Sequence, residues 1–247
     1  MFIIFSMTIK NHIPLIRNLL ERWSGYLFPC TCILCKLPSN EPRDLCSFCE
    51  SNLPKITQYC RQCANPIPEH LALCGMCLKN PPYFDKTIAL FHYQHPIDKL
   101  IQGLKFSHQL VYAKVLGELL ANLLNETYEN PPQCIIPVPL HRKRLQERGF
   151  NQAIEIAKPI SKKLKIPIYR LNAKRIRHTD PQAKTHADSR HQNVKNAFII
   201  TKEIPFERIA VIDDVVTTGH TVNEFCKTLK NSGVKEIHLW CCARTSR

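Results

Sequence analysis

No apolar run in this chain of 247 residues approaches the ~18–20 residues that a membrane span requires. No G-x-x-x-x-G-K-[ST] element occurs either, which removes the usual lysine-bearing loop for nucleoside triphosphates. Acids are scarce. Asp plus Glu is 20 against 34 Lys plus Arg, a formal charge of +14 and a pI of about 9.3. The opening residues, Met1-Phe2-Ile3-Ile4-Phe5-Ser6-Met7, lack a basic stretch and a long apolar core, so a secretory leader is not expected. Met7 offers an alternative first residue. An even cysteine count is also missing. With 13 Cys, a fully paired disulfide framework would leave one thiol over. A reducing, cytoplasmic setting is expected, where clustered cysteines usually serve metals or catalysis. What is present is a globular mix, 44% hydrophobic and 22% charged, long enough for one domain and a smaller module.

Residues 13–28 carry apolar side chains at the spacing of one helix face, with Pro14 near the start. That face suits packing on the protein, with a membrane-surface helix as the alternative. Residues 29–82 then hold nine of the cysteines, many prolines and few aliphatic runs. Such a segment cannot build much apolar core, and something else must hold it. Pro81-Pro82 reads as a boundary, which gives a helix at 1–28, a Cys-rich module at 29–80 and a larger domain at 83–247.

Four C-x2-C pairs punctuate that module: Cys32/Cys35, Cys46/Cys49, Cys60/Cys63 and Cys74/Cys77, always ten residues apart. Zinc takes four tetrahedral thiolates, and each such turn delivers two. Pairing neighbours gives two four-cysteine sites. An interleaved pairing, or Cys30 in place of Cys32, stays open. Redox and iron–sulfur chemistry are the competing readings, but a redox motif belongs at a strand–helix junction rather than in four proline-flanked copies. Structural zinc would substitute for the missing core, at about 10 kcal/mol of folding free energy per site. Cys134, Cys226, Cys241 and Cys242 read as small buried apolar side chains.

Beyond residue 82 strands and helices alternate. Strands are expected at 87–93, 134–138, 208–212 and 236–241, and helices at 96–106, 110–125, 150–164 and 220–231, with Pro159 kinking or ending its helix. This order predicts an α/β fold, a parallel sheet flanked by helices. The stretch Ile209-Ala210-Val211-Ile212-Asp213-Asp214-Val215-Val216-Thr217-Thr218-Gly219-His220-Thr221 carries the chemistry. A buried strand ends in two carboxylates, a short loop follows, and then a helix. Loop amides and the helix N-terminus suit a phosphate, and the threonines add hydroxyls. Asp213 and Asp214 would repel phosphate, but they suit a vicinal diol or a divalent cation. A sugar phosphate satisfies both halves. The bland alternative is a surface Asp pair before a capped helix.

Every position of these thirteen residues resembles the 5-phosphoribosyl-1-diphosphate (PRPP) fingerprint of type I phosphoribosyltransferases. The whole chain resembles the ComF family of competence proteins, in which a double zinc ribbon precedes a phosphoribosyltransferase domain. Pro137–Gln152, Arg175-x-Arg177-x-Thr179-x-Pro181-Gln182 and Arg190-x2-Asn193-Val194-x2-Ala197-Phe198 carry that likeness further. The resemblance implies a type I phosphoribosyltransferase-like parallel sheet, with PRPP held by Asp213, Asp214, Val215, Val216, Thr217, Thr218, Gly219, His220 and Thr221. It implies a pyrophosphate loop near Val138, Pro139 and Leu140, with Arg144 and Arg148 as nearby cations. A closing lid would lie around Arg175, Arg177, Gln182 and Arg190. Magnesium would accompany PRPP, with few direct protein ligands. No catalytic residue is singled out.

Residues 141–195 carry fifteen Lys/Arg against four Asp/Glu. A sugar diphosphate uses part of that excess. The remainder, notably Lys158, Lys162, Lys163 and Lys165, reads either as a solvated helix face or as a site for single-stranded DNA. Two functions are therefore expected to compete. One is a PRPP-binding protein that handles imported single-stranded DNA in natural transformation, beside a DNA-uptake helicase. The other is an active phosphoribosyltransferase with an unidentified acceptor, whose acceptor site would come from the N-terminal module or residues 83–130.

Overall fold

A computed structural model describes residues 30–39, 41–170, 173–176 and 196–246. The helix expected over 13–28 lies outside the described residues. The chain divides into two compact units, Met1–Asn52 and Leu53–Arg247. The two expected four-cysteine sites therefore fall in different units.

The first unit is small. Strands β1 (Cys30–Thr31) and β2 (Pro38–Ser39) pair antiparallel, and a helix of five residues, α1 (Ser47–Ser51), follows. Elements this short do not hold themselves together in water. Cys32, Ile33 and Leu45 are buried here, a small apolar content.

The second unit opens with another five-residue helix, α2 (Gly75–Lys79). The α/β region then runs β3 (Lys86–His92), α3 (Ile97–Phe106), α4 (Leu110–Thr127), β4 (Cys134–Pro137), α5 (Arg142–Arg148), α6 (Gln152–Leu164), β5 (Ala173–Arg175), β6 (Phe198–Ile200), β7 (Arg208–Val216), α7 (His220–Asn231) and β8 (Glu236–Arg244). Four strands form one parallel sheet in the order β3-β8-β7-β4. Near-continuous apolar runs such as Ile209–Ile212 and Leu239–Ala243 are what a sheet covered on both faces needs. One face packs on α7 through Val211, Leu239, Val222, Phe225 and Leu229. The other carries α4 and α6. Cys134, Cys226, Cys241 and Cys242 are all buried, as expected, and burial pushes the Cys134 and Cys241 thiols up to about 12.

Three expectations change. First, β7 does not stop before its acids but continues through Asp213 and Asp214 to Val216, and β8 continues to Arg244. Charge in a strand normally argues for its end, and here Lys105 on α3 compensates one of the two acids. Second, Pro159 does not end its helix, and α6 runs on to Leu164 as the periodicity predicts. Tight packing offsets the lost hydrogen bond. A Cβ on Gly117 of α4 would come within 2.4 Å of Pro159 Cγ and 2.5 Å of the Ile156 carbonyl, so these helices meet where α4 has no side chain. Third, β5 and β6 form an antiparallel pair that the apolar pattern did not announce, with Arg175 opposite Phe198.

The second Cys-rich segment is built onto the edge of this sheet. Ile56 donates its N–H to the Leu90 carbonyl, and His92 donates to that of Pro54. Thr87 donates through its backbone to Arg61 and through its hydroxyl to the Gln62 carbonyl at 2.6 Å. Ile56, Ala64 and Phe84 enter the same core as α7. The segment thus covers the exposed edge of β3. Among the described residues no helix is long and apolar enough to cross a membrane.

Candidate functional site

The cysteines gather as neighbours. Cys32, Cys35, Cys46 and Cys49 form one group and Cys60, Cys63, Cys74 and Cys77 another, with all sulfurs of a group within 4.8 Å of one another. The interleaved pairing that the spacing left open is not formed, and Cys30 joins neither group. A tetrahedral zinc with Zn–S bonds of about 2.3 Å needs sulfurs about 3.8 Å apart. Cys35 and Cys46 Sγ lie 3.9 Å apart, and Cys63 and Cys74 Sγ lie 3.6 Å apart, so both sets fit the ion. Backbone N–H groups favour one thiolate in each group, whereas burial and the neighbouring thiols push Cys49, Cys63 and Cys77 up. Burial opposes ionisation of Cys32, but the N–H groups of Cys46, Cys35 and Leu34 outweigh it and bring the thiol down to about 6. Cys60 behaves alike: burial raises it, and the N–H groups of Cys74, Cys63 and Gln62 bring it to about 7.

At the carboxyl end of the sheet the two adjacent acids have unlike surroundings. Asp214 is buried. Its Oδ2 meets Lys105 Nζ at 2.5 Å, and its Oδ1 accepts from Gln152 Nε2 at 3.3 Å. Gln152 in turn accepts from Arg148 Nη1 at 2.6 Å. Burial alone would raise the Asp214 pKa, but the Lys105 charge and the hydrogen bonds outweigh it and hold it below the ordinary carboxylate value. Asp213, on the opposite face of the strand, keeps part of its surface exposed and accepts the Asp214 N–H at 2.9 Å. Burial first, and the neighbouring Asp214 charge second, push its pKa well above the ordinary value. The pair therefore holds one firmly ionised carboxylate and one that keeps its proton more tightly.

Val215 and Val216 complete the strand, and Thr217–Gly219 turn into α7. Gly219 caps that helix with φ +75°, a left-handed conformation that glycine adopts without steric cost. The first-turn amides of His220 and Thr221 follow, an arrangement suited to an anion. A cavity of about 920 Å³ lies between this loop and the second four-cysteine turn, lined by Cys63, Asn65, Met76, Phe84, Thr218, Gly219, His220 and Asn223 among others.

Across the sheet the loop after β4 is more restricted than its sequence suggests. The Val138 N–H is taken by the Ile212 carbonyl and the Val138 carbonyl by Asn151 Nδ2. Pro139 has no N–H, so Leu140 supplies the first amide that could face an anion. His141 caps α5 through Nδ1 and bridges to Arg175 on β5, so Arg175 is brought beside the loop. Together they line a cavity of about 910 Å³ with Arg142, Arg170, Lys174, Phe150 and Tyr169. Arg148 is turned toward Gln152, and Arg144 lies on the same short helix. Arg177, Gln182 and Arg190 lie outside the described residues.

Three residues at the site were not singled out from sequence. Lys105 stands four residues after the fully buried Ile101, on the inward side of α3, and that spacing was the available signal. Gln152 sits in the segment of family likeness but carries no charge to mark it. Arg244 is a buried cation at the end of an apolar strand.

Comparison with known proteins agrees with this geometry. Residues 150–246 match the phosphoribosyl transferase domain, and residues 23–78 match the double zinc ribbon domain. Competence protein F of Haemophilus influenzae is 39% identical over 207 residues, covering 81% of this chain and 90% of its own length. The DNA utilization protein YhgH of Escherichia coli K12 is 32% identical over 222 residues, covering 88% of this chain and 98% of its own. Competence protein ComFC of Bacillus subtilis is 25% identical over 198 residues, covering 76% and 79%.

Proposed function

Because this chain belongs to the ComF family, which joins a double zinc ribbon to a phosphoribosyltransferase domain, we propose that it binds PRPP with magnesium and handles imported single-stranded DNA. The observation that carries the sugar-phosphate half is the juxtaposition of a part-exposed Asp213 with the Thr217–Gly219 turn into α7. Asp213 accepts hydrogen bonds from the ribose diol. Asp214 holds the strand end in place through Lys105 and Gln152. The amides from Thr217 to Thr221 take the 5′-phosphate. Leu140, Arg144 and Arg175 serve the pyrophosphate, and Arg177, Gln182 and Arg190 belong to the lid. Magnesium neutralises the diphosphate when bound, and Asp213 is the carboxylate suited to it.

The DNA half rests on the cavity beside β5. Lys158 is already paired with Glu155 at 2.5 Å and Lys163 bonds Asn122, so the lysine-rich helix face is partly engaged. Arg142, Arg170 and Lys174 line one cavity together with Phe150 and Tyr169. Cations and aromatic rings on one cavity wall suit an unpaired strand. A cytoplasmic location and a DNA-uptake helicase as partner belong to the same proposal, and the relatives' names, competence protein and DNA utilization protein, support its DNA-handling part alone.

Titration calorimetry of PRPP with magnesium tests the first half. One site per chain is expected in the wild type and none in Asp213→Asn. No heat with the wild type would sink the sugar-phosphate reading. For the second half, affinity for an oligonucleotide should fall with salt at a log–log slope of about −2, corresponding to three neutralised phosphates. A flat dependence contradicts it. The cavity against the second four-cysteine turn supports a second reading, transfer of the phosphoribosyl group to an acceptor seated there. Pyrophosphate release on adding a nucleobase would establish transfer, and its absence across all bases leaves the binding role.

A further inference from the structure

Arg244 ends β8 and is only 2% exposed. A buried guanidinium ordinarily faces a carboxylate. Among the described residues its partners are backbone carbonyls. Nη1 donates to Val216 at 2.8 Å, to Thr217, and to Thr245 at 3.3 Å, and Nε donates to Cys63 at 3.0 Å. Apart from the neighbouring Thr245, these acceptors belong to two distant pieces of chain. Val216 and Thr217 open the phosphate loop, and Cys63 is one of the four thiols of the second four-cysteine group.

The consequence follows from peptide geometry. In a planar trans peptide the C=O and the following N–H point in opposite directions. Fixing the Val216 and Thr217 carbonyls on Arg244 therefore turns the Thr217 and Thr218 amides away from it. The guanidinium is a rigid planar fork, so the direction of Nη1 depends on where Nε is held. Nε is held by the Cys63 carbonyl, and that residue's backbone is fixed when its sulfur is on a metal.

We propose that Arg244 is a positioning residue that couples zinc occupancy of the Cys60/Cys63/Cys74/Cys77 site to the anion affinity of the Thr217–Gly219 loop. This rests on the sugar-phosphate reading of that loop. Coupling between two sites is reciprocal, so PRPP must hold the zinc as firmly as the zinc favours PRPP.

The test uses full-length protein carrying Cys35→Ser and Cys46→Ser, so that only the second site reports. Zinc release to a chromophoric chelator is timed with and without PRPP and magnesium. Release should slow about 10-fold, within the usual range of site coupling. A companion variant with Cys63→Ser and Cys74→Ser keeps only the first site, and there PRPP should change nothing. Arg244→Met should abolish the slowing, and Arg244→Lys should restore part of it. Should Arg244→Met fail to fold, the wild-type reciprocity still decides. PRPP binding by calorimetry with unchanged zinc release overturns the coupling alone. No PRPP binding overturns the underlying reading, and the coupling falls with it. Equal slowing at both zinc sites also overturns the proposal.

Discussion

The two sides of β7 meet at adjacent residues and use the same side chain for opposite ends. On the side of α3 and α6, Asp214 is buried, paired with Lys105 and bonded by Gln152. On the side of α7, Asp213 keeps an exposed edge beside a turn whose carbonyls are gathered by Arg244. The first side is closed and its charges are balanced. The second keeps a carboxylate in an environment that resists its ionisation, next to amides that suit a phosphate. A strand that buries one acid to present its neighbour separates support from binding within two residues.

The second four-cysteine turn belongs to the binding side, and this should dominate stability. The turns at Cys32 and Cys60 are closed by the same pair of backbone bonds, Cys32 with Leu37 and Lys36 with Cys32, and Cys60 with Asn65 and Ala64 with Cys60. The second belongs to the same unit as the sheet and is stitched to β3 and β8. Cys60→Ser should therefore remove one zinc and lower the main melting transition by about 10 °C or more, since a structural metal supplies folding energy. Cys32→Ser should also remove one zinc but leave that transition nearly unmoved. Equal losses in scanning calorimetry would break the contrast.

Lys105→Met strikes the supporting side. It leaves a buried carboxylate unpaired, at a cost of about 3–5 kcal/mol by chemical denaturation. The pH dependence has a definite sign. The depressed pKa of Asp214 contributes stability that is present above the ordinary carboxylate value of 3.8 and lost as pH falls through the folded value. The raised pKa of Lys105 contributes stability present below 10.5 and lost as pH rises through its folded value. The gap between wild type and Lys105→Met should therefore narrow in acid.

Gly219→Ala should cost about 1–2 kcal/mol, because φ is +75° and the nearest atom to a new Cβ, Val216 Cγ1, is 3.8 Å away. That cost is backbone strain, and urea unfolding should measure it. Asp213→Asn has the smallest effect and the opposite sign. An acid whose folded pKa is raised opposes the fold at neutral pH, and relief comes as pH falls through the folded value. The amide should melt higher at pH 7, with the difference vanishing in acid, while PRPP heat disappears. A lower melting temperature at pH 7 would put Asp213 among the supporting residues.

Much of this was legible in the sequence for identifiable reasons. Apolar runs bounded by turns gave the four strands and their helices, and the C-x2-C spacing marked the eight ligand candidates while leaving their pairing open. The run from Ile209 to Thr221 marked the loop. What escaped depends on groups that meet only after folding. The length of β7 was misjudged because two acids read as a strand end, and their tolerance comes from Lys105, over a hundred residues earlier. Arg244 lies three residues beyond the strand end expected at Cys241, and nothing local reveals that carbonyls from Cys63 and Val216 converge on it. The C-x2-C spacing also carries no mark at Asn52, where the chain divides into two compact units, because the two four-cysteine segments look alike in sequence.

Amide hydrogen exchange with and without PRPP and magnesium tests the central claim most directly. The account predicts slowed exchange at residues 217–222, where the phosphate is held, together with slowing at residues 60–65 through Arg244. PRPP binding with no protection at 217–222, or with protection confined to the first four-cysteine unit, would contradict it.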